Sequence, residues 1–133
     1  MSPFFKLSMI VALLALGGCG ASPVAGGTKG RLYAGSAGLG DIQVTVLQME
    51  GGSWRPTGFG VTDHEGKFEL VQNGAQGPLW LPAGEYRCTL QSAGAPVAIP
   101  EEFSRPETTP LQAAVKSQED LLELKTQEFP AQK

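Results

Sequence analysis

The sequence predicts an all-β protein: a single antiparallel β-sandwich of about seven strands, placed after an export signal and a flexible tether. Three observations lead there. Apolar and polar residues alternate with period two in several short runs, as half-buried antiparallel strands require. Eighteen glycines and ten prolines are spread along the chain, which suits closely spaced turns. Setting aside an N-terminal leader leaves about 115 residues, enough for one domain and too few for two.

The leader comes first in the chain. Met1 to Lys6 carries one positive charge, and Leu7 to Leu16 is apolar apart from Ser8, after which small residues follow at once. That is the layout of a secretory signal. The run is too short to span a bilayer, which takes about 20 apolar residues. Its end is "LGGC", and Leu16-Gly17-Gly18-Cys19 resembles the lipobox of bacterial lipoproteins. The resemblance implies recognition of Leu16, Gly17 and Gly18 by a signal peptidase and lipidation of the Cys19 thiol. Residues 1–18 are then the signal peptide. Several acyl chains on Cys19 would hold the protein firmly, because each buried methylene adds about 0.8 kcal/mol and a single chain binds only marginally. The expected location is the cell envelope, at the outer membrane or the periplasmic face.

Gly20 to Gly30, "GASPVAGGTKG", lacks periodicity and bulk, so 19–30 reads as lipidated cysteine plus tether, with a root-mean-square span of roughly 18 Å. A domain over 31–127 and a tail over 128–133 complete the division.

Within the domain, "RLYAG" (31–35) is a short strand. "DIQVTVLQM" (41–49) sets Ile42, Val44 and Val46 on one face and Gln43, Thr45 and Leu47 on the other. "EGGS" (50–53) is a turn, and Trp54 to Thr62 returns as a strand weakened by Pro56, Gly58 and Gly60. "KFELVQ" (67–72) is one further strand and "GEYRCTLQS" (84–92) another, with Tyr86, Cys88 and Leu90 sharing a face. "LQAAV" (111–115) and "DLLELKTQ" (120–127) complete the set. The last segment has helical propensity, but Leu122 and Leu124 alternate with Glu123 and Lys125 as in a closing strand.

"GFGVTDHEGKFEL" (58–70) encodes a hairpin. Asp63 can accept hydrogen bonds from the amides of the turn, and Gly66 can take the positive φ that closes it. Together with "PAGEYRCTL" (82–90), this stretch resembles the carboxypeptidase-regulatory-like, or transthyretin-like, β-sandwich. The order of pieces is similar to that of small exported planctomycete lipoproteins, down to Ile99-Pro100-Glu101-Glu102-Phe103 and the Thr109-Pro110-Leu111 to Val115 segment. Cys88 stands where those proteins usually have valine, and the turn that follows their first strand is not evident here.

Composition excludes several functions. The net charge is −3 and no basic block is present, so nucleic acid is not an expected partner. With Cys19 lipidated, Cys88 has no disulfide partner and reads as a core residue. His64 is the sole histidine. Asp63-His64-Glu65 are consecutive and cannot converge on one ion, while zinc wants four ligands and calcium six to eight. Neither a metal nor any other cofactor is expected, and no catalytic constellation is visible. Glu101-Glu102 and Glu119-Asp120 read as solvated acidic loops. The expectation is a membrane-anchored, non-enzymatic structural or interaction module whose partner is an envelope protein. The alternative is a glycan-binding module, with Trp54, Trp80 or Tyr86 stacking on sugar rings.

Overall fold

The computed structural model describes residues 26–131, and the leader with Leu16, Gly17, Gly18 and Cys19 lies outside them. Nine strands form two packed sheets: β1 (Lys29–Ala34), β2 (Ala37–Gly38), β3 (Ile42–Glu50), β4 (Ser53–Val61), β5 (Lys67–Glu69), β6 (Val71–Gln72), β7 (Gly84–Ser92), β8 (Gln112–Val115) and β9 (Leu122–Thr126). The larger sheet has the order β6-β4-β3-β7-β8, every neighbour antiparallel. In the smaller sheet β1 is central. β2 and β5 pair with its two halves along one edge, and β9 pairs along the other.

The larger sheet follows its alternation. Ile42, Val44 and Val46 of β3 stand beside Leu90 and Cys88 of β7, and all five are 2 % exposed or less. The Glu50–Ser53 connection is a two-residue hairpin turn in which Gly51 and Gly52 both take positive φ, the conformation that matches strand twist. β4 carries a bulge: Val46 faces Gly58 but Leu47 faces Pro56, so Thr57 is the extra residue and its hydroxyl donates to the Val46 carbonyl at 3.1 Å. The Pro56 carbonyl accepts from the Asn73 side chain at 2.9 Å, on the side away from β3, so its missing N–H removes no bond to that strand.

Four features differ from the sequence expectation. First, "KFELVQ" is not one strand. It breaks at fully buried Leu70 and hands the chain from the smaller sheet (β5) to the larger (β6), which together with the added β2 raises the expected seven strands to nine. Second, the folded unit begins before Arg31. Thr28 is 1 % exposed, its amide donates to the Leu79 carbonyl, and its hydroxyl accepts from the Leu81 amide at 2.9 Å. Residues 26–30 therefore belong to the domain rather than the tether. Third, the segment after Gln127 is packed, not a tail, since Phe129 is 8 % exposed and meets Phe103 edge-on at 5.1 Å. Fourth, β9 is a strand and runs parallel to β1, with Leu122 opposite Gly30 and Leu124 opposite Leu32.

One continuous apolar core fills the space between the sheets. It unites Leu32 of β1, Phe68 of β5, Leu122 and Leu124 of β9 with Val44, Tyr86, Cys88 and Leu90 of the larger sheet. A side chain at Gly30 would run into the Phe68 ring, so glycine there lets that ring lie against β1.

Candidate functional site

The hairpin between β4 and β5 is built as its residue types require. Asp63 Oδ1 accepts from the Glu65 amide at 2.8 Å and the Lys67 amide at 3.0 Å. Gly66 takes φ +83°, and a Cβ there would also strike the Leu32 carbonyl. Thr62, 3 % exposed, receives the Ile42 amide on its hydroxyl at 3.0 Å and fixes the hairpin base to β3. The amides of Lys67 and Glu65 hold the Asp63 carboxyl below its ordinary pKa. All of that carboxylate's hydrogen bonding serves the turn, and His64 beside it is exposed. Among the described residues no group of three or more His, Cys, Asp or Glu side chains could hold a metal ion.

Cys88 lies on β7, an interior strand of the larger sheet, 0 % exposed, and burial raises its thiol pKa to about 12. A thiol so protonated is a poor nucleophile. The acidic pairs have structural tasks. Glu101 bridges to Arg105 at 2.6 Å, and Asp120 Oδ2 accepts from the Lys116 amide at 2.7 Å.

The two tryptophans sit on separate elements. Trp54 is half-buried on β4 opposite Met49, and the Arg87 guanidinium lies 4.5 Å from its ring centroid. Arg87 belongs to β7, so its side chain crosses β3 to reach β4. Beneath that crossing Leu47 is only 5 % exposed, although it faces away from the core. One face of Trp54 is thus occupied. Trp80 follows Leu79, in the segment bonded to Thr28, and is 47 % exposed. Tyr86 is buried and donates its hydroxyl to the Pro82 carbonyl at 2.6 Å, so its ring is not open to a ligand.

The sequence reading passed over the feature that stands out on the surface. A shallow groove of about 720 Å³ runs across β4, β5 and β1, lined by Phe59, Val61 and Leu121, by the cations Lys29, Arg31 and Lys67, and by the carboxylates Asp63 and Glu69. Lys29, Arg31 and Tyr33 alternate with Gly30, Leu32 and Ala34 in β1, so all three project outward. β5 adds Lys67 beside Arg31, and β9 adds Lys125 beside Tyr33. Arg31 donates to the Tyr33 hydroxyl at 2.8 Å. The sequence signal was "KGRLY" itself, in which period two places two cations and a tyrosine on one face.

No protein-family model matches the chain, and no curated protein does. Among solved structures, a crystal structure of a DUF3823 family protein from Parabacteroides merdae is similar, at 15% identity and a TM-score of 0.45. The match covers 82% of this chain and 48% of that one, so this chain spans about half the length of that protein. The likeness carries no argument about function. The β-sandwich rests on the strands and pairings of the chain itself.

Proposed function

We propose that this protein is an exported lipoprotein, held to the cell envelope through Cys19, whose β-sandwich is a non-enzymatic contact module of transthyretin-like or carboxypeptidase-regulatory-like type. The observation that carries the reading is "LGGC" at the end of a short apolar run behind a single positive charge. Among the described residues no helix is long and apolar enough to cross a membrane. Asp63 and Asp120 accept from the amides of their own turns, Cys88 is buried in the core, Glu65 and Glu101 pair with Lys67 and Arg105, and His64 is exposed, a distribution that favours contact over catalysis.

Mass spectrometry of the membrane-extracted protein tests the anchor. The expected product begins at Cys19 and carries a diacylglycerol, and Cys19→Ser lacks both. A soluble product cut elsewhere would overturn the reading.

Half-exposed Trp80 favours a second reading, glycan binding by ring stacking. Affinity electrophoresis in glycan-containing gels decides it: retardation lost in Trp80→Ala supports it, and no retardation by any glycan removes it.

A further inference from the structure

We propose that the end of the sandwich at which the chain enters the fold beds into the interface of the membrane that holds the Cys19 lipid, with Trp80 as the inserted side chain. The inference rests on the anchored reading above and names the part of the domain that meets the bilayer.

Little chain lies between lipid and fold. The Gly26 amide already donates to Glu69 Oε1 at 2.7 Å, and Thr28 is buried. Seven residue steps separate Cys19 from Gly26. At no more than about 3.6 Å each, they keep the point of entry within about 25 Å of the lipidated residue. That is less than the length of the nine-residue strand β3, about 30 Å, so the entry end stays near the bilayer surface however the rest of the domain is turned.

Strand pairing fixes which residues share that end. Thr28 is held by Leu79 and Leu81, its amide donating to the Leu79 carbonyl and its hydroxyl accepting from the Leu81 amide. Trp80 stands between those two residues and is 47 % exposed, so it is open to solvent beside the point of entry. β9 runs parallel to β1 with Leu122 opposite Gly30, which brings exposed Leu121 to the level of Lys29. β4 and β5 join at the Asp63–Gly66 turn, and Glu69, away from that turn, pairs with Lys29. The start of β4 therefore lies on the entry side as well, and there exposed Met49 faces Trp54. Among the described residues four large apolar side chains are exposed, and three of them, Met49, Trp80 and Leu121, gather at this end. Val61, next to the Asp63 turn, is alone at the other.

Charge does not select the occupant. Lys29, Arg55, Arg87 and Lys116 stand at this end against Glu50, Glu69, Glu85, Glu119 and Asp120. Glu69 serves the Gly26 amide, Asp120 serves the Lys116 amide, and Arg87 lies over Trp54. What sets the end apart is its apolar surface. An indole, apolar in its ring and polar at its N–H, settles at the headgroup boundary, where one side is oily and the other wet. One such ring would not hold a free domain. Tethered by the lipid on Cys19, it meets the interface at an effective concentration of about millimolar, and a weak contact is then occupied.

Fluorescence quenching by brominated lipid tests the proposal. The full lipidated chain is reconstituted in vesicles of phosphatidylcholine, either plain or brominated on the upper part of the acyl chains. The chain has two tryptophans, and the Arg87 guanidinium lies over one of them, Trp54. Brominated lipid is expected to quench the emission of the parent protein several-fold more than that of Trp80→Phe. Leu121→Glu, at the entry end, should weaken the quenching, whereas Val61→Glu, at the far end, should leave it unchanged. Equal quenching of parent and Trp80→Phe would overturn the proposal. So would quenching that appears only after phosphatidylglycerol is added, since charge would then be choosing the surface. A blue shift of the Trp80 emission that grows with protein density, with bromine having no effect, would assign this end to a second copy of the chain. Mass spectra of the same vesicles report the lipid on Cys19. A lipidated protein without quenching sinks the membrane-facing end and leaves the anchor standing, whereas an unlipidated N-terminus sinks both.

Discussion

In the larger sheet, β3 pairs with β4 across a two-residue turn and with β7 through six matched residue pairs. In the smaller sheet, β1 draws its partners from β2 just after it, from β5 beyond the next hairpin, and from β9 near the other end of the chain. The first sheet is specified by local alternation and a Gly-Gly turn. The second exists because the larger sheet leaves an apolar face that must be covered, and β9 closes it only when both ends of the domain have met. Long-range pairing of this kind bears the loop-closure cost that local hairpins avoid.

That difference is most exposed to test at β9. Leu124 is 1 % exposed and contributes to the shared core, so Leu124→Ala should lower stability by about 2–5 kcal/mol in urea unfolding. Because the core is continuous across both sheets, the loss is expected to appear in one cooperative transition. Hydrogen exchange that freed only β9 while β3 and β7 stayed protected would instead show the smaller sheet to be an independent, weaker unit.

The next prediction concerns where the smaller sheet begins. Thr28→Val removes the acceptor for the buried Leu81 amide and should cost about 1–3 kcal/mol in the same assay. A tether residue would cost nothing. On β7 of the larger sheet, Cys88 should resist alkylation in the native state and react only as the domain opens, because the thiol is buried and held protonated. Alkylation at the rate of a free thiol would place a weak point in the larger sheet.

The smallest effect lies at the hairpin that joins the sheets. Asp63 has a lowered pKa in the folded state, so its contribution to stability is present above the ordinary carboxylate range and is lost as pH falls through the lowered value. Asp63→Asn should therefore flatten the fall of stability below about pH 4, near the unfolded value, relative to the parent protein. An unchanged acid limb would show that the turn amides hold Asp63 no more firmly than water does.

The legible and illegible parts of the molecule divide along the same line. Tyr86, Cys88 and Leu90 declared a shared face by spacing, and they share it. Leu47 declared the outer face and stands on it, yet is buried, because Arg87 crosses from β7 to Trp54, a contact between residues 33 positions apart in sequence. Among the candidate ligand-stacking residues, spacing marked Trp54 and Trp80 as aromatic but could not show that a guanidinium covers one ring and leaves the other half open. The charged face of the smaller sheet was half legible, with Lys29, Arg31 and Tyr33 in one run. Lys67 and Lys125 join them only through pairing with distant strands.

By itself the sequence determined most of the strand segments, the turns at Gly51-Gly52 and Asp63–Gly66, and the inward faces of β3, β7 and β9. Those depend on side-chain period and on backbone conformations that a few residues settle among themselves. The tertiary structure alone decided that β9 lies parallel to β1, that Leu70 carries the chain between sheets, and that Thr28 and Phe129 belong to the core. A strand's inward face is fixed by its own alternation, but its neighbour is fixed by which apolar surface is still uncovered when it arrives, and no local pattern records that.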